Sequence, residues 1–152
     1  MIYTLKIIVI ICISIVLFNC NNRPPTKNQR SNNHNLKEKN CITQVIAIDD
    51  SIGKIRNHNC ETISLSETIR MYTSGIDKVD FTNCPPNFKQ AFHSHKEAWT
   101  KMTTITNNYP DLRGEMHDLF KILEEGEDKE AFKILLGSIW STWEDVENSM
   151  GN

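Results

Sequence analysis

Apolar residues recur at helical spacing along the C-terminal part of the chain. In the first such stretch they are separated by four, three, four and three positions, at Leu65, Ile69, Tyr72, Ile76 and Val79. This spacing stacks the side chains on one face of a helix. Ser64 followed three positions later by Glu67 is the pattern of a capping box, in which each side chain bonds a free backbone N–H at the helix start. The sequence therefore predicts a helix over residues 65–79.

The same criterion predicts three more helices. The next one should begin at Cys84-Pro85-Pro86, because a proline in the first turn gives up an N–H that has no partner there. Its stripe contains Phe88, Phe92, His95, Trp99, Met102 and Ile105. A third stripe, which should stop at Gly126, contains Leu112, Met116, Leu119, Phe120 and Leu123. The fourth contains Phe132, Leu136, Ile139, Trp143, Val146 and Met150.

Residues 42–57 allow two interpretations. Val45, Ile48, Ile52 and Ile55 form a heptad-like stripe, which favours a helix. A β-hairpin turning at Asp49-Asp50-Ser51 or near Gly53 is the alternative, because β-branched residues precede that point. With the preferred helix, residues 41–152 form an all-α, up-and-down bundle of four to five helices.

The chain begins with a different pattern. Lys6 precedes an uncharged apolar run over residues 7–18. Such a run is short for a membrane-spanning helix, which needs roughly 20 apolar residues. It is instead typical of the apolar region of a signal peptide that ends at a processing site. An uncleaved anchor formed by residues 2–18 is the alternative, and either form places the rest of the chain outside the cytoplasm.

Leu17-Phe18-Asn19-Cys20 resembles the lipobox of bacterial lipoproteins, although Asn19 stands where a small residue is usual. The resemblance implies removal of residues 1–19 and lipidation of Cys20, which becomes the new N-terminus. The mature protein would then be held in the bacterial cell envelope by fatty acyl chains such as palmitate. It would face the periplasm or lie at the outer membrane.

Charge separates the following linker from the domain. Residues 20–40 are rich in Asn, Lys, Arg, Pro and Ser, with a formal charge of +4. They contain too little apolar surface to offset chain entropy and are predicted to be disordered. The linker either rests on anionic lipid head groups or, as we prefer, serves as a soluble spacer. Residues 41–152 carry a formal charge of −7, which argues against nucleic acid as a partner.

Three cysteines remain after Cys12 is removed with the signal and Cys20 is lipidated. If residues 42–57 are helical and antiparallel to the 65–79 helix, Cys41 and Cys84 lie at the same end of the bundle and are the candidate disulfide. A hairpin would instead bring Cys41 beside Cys60. A third alternative leaves all three thiols reduced and buried.

Candidate chemistry is sparse. His95 and His117 would converge on a metal or a haem if their helices face one another, although their spacing is not a known ligand motif. One core histidine and one surface histidine is the more common outcome. Arg113, Glu115 and His117 would serve a hydrolytic enzyme only if a cleft gathered them. No other catalytic motif is present, so no cofactor is predicted.

Trp140 and Trp143 lie three positions apart on the last predicted helix. We expect Trp143 in the core and Trp140 half exposed, because the two side chains do not share one face fully. A partly exposed tryptophan is able to anchor a partner protein. Packing against the first helix of the bundle is the alternative that we prefer.

Two blocks, residues 83–99 and 113–120, resemble segments of uncharacterised exported bacterial proteins. The resemblance covers roughly the last seventy residues and brings no activity with it. It singles out Arg113, Glu115 and His117 as polar positions to test. The sequence as a whole predicts a membrane-anchored envelope lipoprotein that acts as a binding or interaction module, for example with another envelope protein. The alternative function is a metal- or haem-binding bundle using His95 and His117.

Overall fold

The computed structural model describes residues 27–151, with the side chains of residues 31–151. The bundle belongs to the unit formed by residues 34–152. The predicted signal peptide over residues 1–19 and the lipidation site at Cys20 lie outside the described residues. None of the helices described is both long and apolar enough to cross a bilayer.

Five helices make up the described chain, and residues 27–151 contain no β-strand. They are α1 (Lys27–Asn59), α2 (Leu65–Ile76), α3 (Pro86–Thr106), α4 (Met116–Glu125) and α5 (Lys129–Met150). In the bundle, α3 packs against both α2 and α5, and α4 packs against α5. The prediction of an all-α bundle of four to five helices is confirmed.

Helix α1 decides between the two interpretations of residues 42–57, since this whole segment is helical and no hairpin forms. The helix begins earlier than expected. Residues 27–40, predicted to be part of a disordered linker, are helical, although the side chains of residues 31–37 are all exposed. The physical reason is that adding a residue to an existing helix avoids the unfavourable nucleation step. Arg56 and His58 in the last turn suit the negative end of the helix dipole.

Helix α2 starts as predicted and ends early. The Ser64 side chain accepts a hydrogen bond from the Glu67 N–H at 3.3 Å, whereas the Glu67 carboxylate accepts one from Arg70 Nε at 3.2 Å. Only half of the capping box is therefore formed. The helix ends at Ile76 instead of residue 79, because the N–H groups of Lys78 and Val79 close tight turns onto the carbonyls of Gly75 and Ile76. Val79 still packs against the core from that turn.

Helices α3 and α5 supply most of the aromatic core. The α3 stripe is buried as predicted, and Pro86 occupies its first turn. On α5, Phe132, Ile139 and Val146 are buried, while Trp143 is only half-buried. Aromatic pairs such as Phe88 with Phe92, at 5.5 Å between ring centroids, add specific edge and offset contacts to this burial.

The segment before α4 is a structured loop. Leu112, which the stripe placed in the helix, lies in this loop, and its carbonyl accepts the Leu65 N–H at 2.9 Å. The Gly114 N–H bonds the Cys60 carbonyl at 2.7 Å. Gly114 has φ +151°, a region that only glycine adopts without strain. The loop is thus fixed by one backbone hydrogen bond to the start of α2 and one to Cys60, which follows α1.

A disulfide joins Cys41 to Cys84. This is the pairing that a helical 42–57 segment predicts. Cys60 is a buried free thiol, and its Sγ lies 2.9 Å from the Asn57 carbonyl oxygen, to which it donates. The bond connects the middle of α1 to the start of α3.

Candidate functional site

A cleft of about 500 Å³ opens in the bundle. All five helices contribute to its lining, with α1 forming a polar wall and α5 a largely apolar one. Its size falls in the range of about 300–1,000 Å³ that is typical of small-molecule sites. The cleft is therefore large enough to hold a ligand.

Arg56 is the central cation of the polar wall. Its guanidinium carbon lies 4.6 Å from the ring centroid of Tyr72 and 4.0 Å from that of Trp99. Its Nε and Nη2 donate to Asn57 Oδ1 at 3.1 and 3.0 Å. Burial lowers the pKa of Arg56 from its ordinary value, because a charged group loses hydration. The two aromatic rings attract the guanidinium charge and partly replace that hydration.

Asp49 lies two helical turns before Arg56 on the same face of α1. Its Oδ1 accepts the Tyr72 hydroxyl proton at 2.7 Å. Burial raises the pKa of Asp49, although the bond from Tyr72 opposes this shift. Burial, together with the Asp49 charge, also raises the pKa of Tyr72. Tyr72 thus connects an acidic end of the cleft to a cationic end.

His95 is buried, with 4% of its surface exposed. Its Nε2 accepts the indole N–H of Trp99 at 3.1 Å. Because Nε2 is an acceptor, the neutral ring carries its proton on Nδ1, which lies 3.1 Å from Thr142 Oγ1. Burial, with the nearby Arg56 charge as a smaller cause, lowers the pKa of His95 to about 4. The ring is therefore neutral at pH 7 and fixed in one tautomer.

His117 has the opposite environment. Its side chain is 92% exposed, and Nδ1 lies 2.8 Å from Glu115 Oε1. This hydrogen bond raises the pKa of His117. Glu115 is the N-cap of α4, because its carboxylate also accepts the backbone N–H groups of His117 and Asp118 at 2.8 and 3.2 Å. Its polar role is thus accounted for by helix capping.

The four predicted polar residues are brought together only in part. His95 and His117 both line the cleft, and Glu115 bonds His117. Arg113 lies outside, where its Nη2 is 3.6 Å from Asp111 Oδ1 and both side chains are largely exposed. Arg113, Glu115 and His117 therefore do not meet in the cleft as a hydrolytic site requires.

The residues present do not suit a metal at His95. Both of its ring nitrogens are engaged, so a metal would have to displace Trp99 or Thr142. Residues 27–151 contain no group of three or more His, Cys, Asp or Glu side chains positioned around one ion. His117 carries a free Nε2 but stands on the exposed rim.

The opposite wall and rim are aromatic. Trp140 is 64% exposed, more than the half-exposed position predicted for it. Trp143 also lines the cleft, with its ring centroid 5.2 Å from that of His95. Its indole N–H donates to Glu147 Oε1 at 2.9 Å. Phe120 of α4 faces the same space and packs on Phe132 at 5.4 Å between centroids.

The sequence prediction missed Asp49, Arg56 and Tyr72 as site residues. One signal was present in the sequence. Asp49 and Arg56 are seven positions apart, in register with the buried positions Cys41, Val45 and Cys60. Two charged residues on the buried face of a helix indicate a polar site.

Comparison of this chain with protein families, curated proteins and solved structures finds no match.

Proposed function

We propose that this protein is a lipid-anchored binding module of the bacterial envelope, and that the cleft between its helices is the ligand site. The exposed Trp140 at the cleft rim is the observation that carries the proposal. A large aromatic side chain left in water beside a concave site is typical of surfaces that bind a partner. The cleft provides a cavity for a ligand, and Trp140 at its rim provides an exposed aromatic contact.

Binding fits the chemistry of the cleft better than catalysis does. Several of its titratable side chains already have partners in the protein. Asp49 is held by Tyr72, Lys54 Nζ lies 2.6 Å from Asp50 Oδ2, and both nitrogens of His95 are engaged. An acid–base mechanism needs a side chain free to exchange a proton with a substrate. These groups are arranged instead as a fixed polar wall.

The anchor part of the proposal comes from the sequence. Cys20 would carry the fatty acyl chains, and the basic residues that follow would separate the acidic domain from the membrane. Two acyl chains hold a protein on a bilayer stably, whereas one gives reversible binding. The ligand would then be captured at the membrane surface outside the cytoplasm.

Site-specific crosslinking tests the binding site. A photoreactive phenylalanine analogue would replace Trp140 in the full chain, expressed in its native bacterium. The matched control places it at Met71, which is 49% exposed and does not line the cleft. We expect a crosslinked adduct, resolved by mass spectrometry, at position 140 and none at 71. Equal adducts at both positions, or none at either, would contradict the proposal.

Labelling with radioactive palmitate tests the anchor. We expect label in the wild-type chain and none in Cys20→Ser, with wild-type protein in the membrane fraction. The mass of the mature chain should show loss of residues 1–19. An unlabelled wild-type protein found in the cytosol would contradict this part of the proposal, and leave the crosslinking result to be judged separately.

The metal or haem alternative has one observation in its favour, since His95 and His117 line the same cleft. An absorption spectrum and elemental analysis of the purified protein, before and after adding haem or zinc, compare the two functions. A haem band or bound metal that disappears in both His95→Gln and His117→Gln would favour the alternative. Because both ring nitrogens of His95 already make hydrogen bonds, we expect neither a haem band nor bound metal.

A further inference from the structure

We infer that the ligand of the cleft carries a carboxylate attached to an apolar group, with the carboxylate bound by Arg56 and the apolar group held by Trp140, Trp143 and Phe120. This inference rests on the proposed binding function and adds the chemical class of the ligand. The carboxylate belongs either to a free organic acid or to the last residue of a polypeptide.

The first argument is the unused donors of Arg56. A guanidinium has five N–H donors. Two of its nitrogens, Nε and Nη2, point one N–H each at Asn57 Oδ1, and the nearby Tyr72 hydroxyl also favours the charged form of Arg56, which leaves at least two of the five donors for a ligand. Among residues 31–151, no carboxylate lies within ion-pair distance of Arg56, in contrast to Lys54 and Arg70. The rings of Tyr72 and Trp99 both contact the guanidinium, and their centroids are only 5.5 Å apart, so both rings lie on the same side of the group.

The second argument concerns charge. A cation that has lost much of its hydration is stabilised by an anion in the same low-dielectric surroundings. Asp50 is paired with Lys54, and Asp49 accepts a hydrogen bond from Tyr72. Neither carboxylate therefore serves as the direct partner of Arg56. The acidic residues do affect the choice of anion, because they would repel a doubly charged phosphate more than a singly charged carboxylate.

Geometry also favours a carboxylate. The donors at the guanidinium edge lie in one plane and match the two oxygens of a carboxylate in a bidentate pair. Contact with the rings of Tyr72 and Trp99 restrains the Arg56 side chain, so less side-chain entropy is lost when an anion binds. A tetrahedral phosphate is usually surrounded by several donors, whereas Arg56 is the one unpaired arginine in the described lining of this cleft.

The apolar wall of the cleft indicates the chemistry of the rest of the ligand. Leu136, Ile139 and Trp143 lie along α5 behind the exposed ring of Trp140, and Phe120 closes the side from α4. These side chains have no charge to pair with a second polar group. An aromatic or branched aliphatic group next to the carboxylate fits a cleft of about 500 Å³.

Titration calorimetry with matched probes tests the inference. Indole-3-acetate carries the carboxylate, and indole-3-acetamide has nearly the same shape without the charge. We expect the acid to bind the purified wild-type chain at least tenfold more tightly than the amide. Arg56→Gln should remove this preference, while Arg56→Lys should keep part of it. Arg113→Gln removes one positive charge outside the cleft and should leave the preference unchanged.

An acetylated tetrapeptide ending in tryptophan, with a free or an amidated C-terminus, separates the two sources of the carboxylate. Tighter binding of the free acid identifies a small molecule, and tighter binding of the free-ended peptide identifies a chain terminus. Circular dichroism checks that Arg56→Gln is folded. If it is not folded, Arg56→Lys replaces it in the test. This variant retains the charge and the aromatic contact but loses the planar donors, so we expect it to show a reduced preference for the acid over the amide.

Several results would overturn the inference. Equal affinity for the acid and the amide would show that the ligand needs no carboxylate, while the cleft would remain the proposed binding site. Inorganic phosphate binding as tightly as indole-3-acetate would reject the choice of anion. Arg113→Gln weakening the acid as much as Arg56→Gln would show a non-specific charge effect. Binding of neither small probe nor peptide, with a crosslink still formed at Trp140, would reject the ligand class and leave the proposed function standing.

Discussion

His95 and His117 line the same cleft, but their pKa values are shifted in opposite directions. His95 lies inside the aromatic wall between α3 and α5, bonded to neutral partners, and its pKa is lowered to about 4. His117 stands on the exposed junction before α4, bonded to the Glu115 carboxylate, and its pKa is raised. Loss of hydration is the main cause of the lowered pKa of His95, whereas the hydrogen bond to Glu115, followed by the charge of that carboxylate, is the main cause of the raised pKa of His117.

This comparison separates two parts of the cleft. The wall around His95 is built from side chains that are buried and bonded across helices, so its residues determine stability. The polar side chains of the junction, Arg113, Glu115 and His117, make local contacts and are open to solvent. We therefore expect substitutions in the wall to change the free energy of unfolding strongly, and substitutions of these three polar side chains to change it little. The following experiments measure that difference.

Trp99→Ala should have the largest effect. Trp99 is buried, donates to His95, covers Arg56 and packs edge-on against Tyr72 at 5.5 Å between centroids. Truncating a buried large aromatic side chain costs about 3–5 kcal/mol. Urea unfolding followed by circular dichroism measures the loss. Trp140→Ala is the control and should change stability by less than about 0.5 kcal/mol, because its ring is already exposed. Similar losses in both variants would contradict the division.

Acid should destabilise the fold through His95. Since its pKa is about 4 in the fold and 6.5 ordinarily, the unfolded chain binds a proton that the folded chain does not. Stability is therefore full above pH 6.5 and falls by about 3 kcal/mol as the pH drops toward 4. Thermal melts of His95→Gln and wild type over this range give the difference. His117→Gln, the control, should retain the wild-type loss. A His95→Gln variant with an unchanged pH profile would contradict the assignment.

Gly114→Ala tests the one point where the junction is rigid. At φ +151° an added Cβ is strained and would lie 3.3 Å from Leu119 Cδ2. We expect a loss of about 1–3 kcal/mol in urea unfolding. Gly137→Ala is the matched control, because Gly137 lies inside α5 with nothing within 4 Å of an added Cβ. It should stabilise the protein by about 0.5–1 kcal/mol. A stabilising Gly114→Ala would show that the loop does not need this conformation.

Glu115→Gln should produce the smallest change. Removing the carboxylate charge should bring the pKa of His117 down toward its ordinary value, since Glu115 is the main cause of the increase. NMR titration of the imidazole C–H signals measures this shift. Asp111→Asn alters a nearby charge that His117 does not contact, and it should leave the titration in place. An unchanged pKa of His117 in Glu115→Gln would contradict the hydrogen bond.

The apolar stripes predicted most of the bundle. They located the cores of α2, α3 and α5, because the residues that pack together are also the ones that repeat at helical spacing. The stripes predicted the first and last residues of the helices less well. Leu112 fits the α4 stripe by spacing but lies in the loop, since Gly114 and the Glu115 cap start the helix later. Residues 31–40 of the N-terminal extension of α1 have no buried side chain, so no pattern of apolar residues could indicate this part of the helix.

Helix α1 shows why the site was harder to predict than the fold. The apolar stripe predicted Ile48 and Ile55 as inward positions, yet both are exposed at 42% and 52%. The inward positions are one residue later, at Asp49 and Arg56. Their charges fit the cleft, not an apolar core, and local sequence cannot show that Tyr72 and Trp99 surround Arg56. Places where helical pattern and burial disagree are often functional sites.

The disulfide between Cys41 and Cys84 makes the stability of this fold depend on the redox conditions around it. It closes a loop of 43 residues, and removing the freedom of such a loop from the unfolded chain is worth about 4 kcal/mol in the chain-entropy account. That is a large share of the 5–15 kcal/mol that keeps a typical domain folded. The bundle is therefore less stable where glutathione keeps the two thiols reduced, and it would gain this stabilisation in an oxidising compartment.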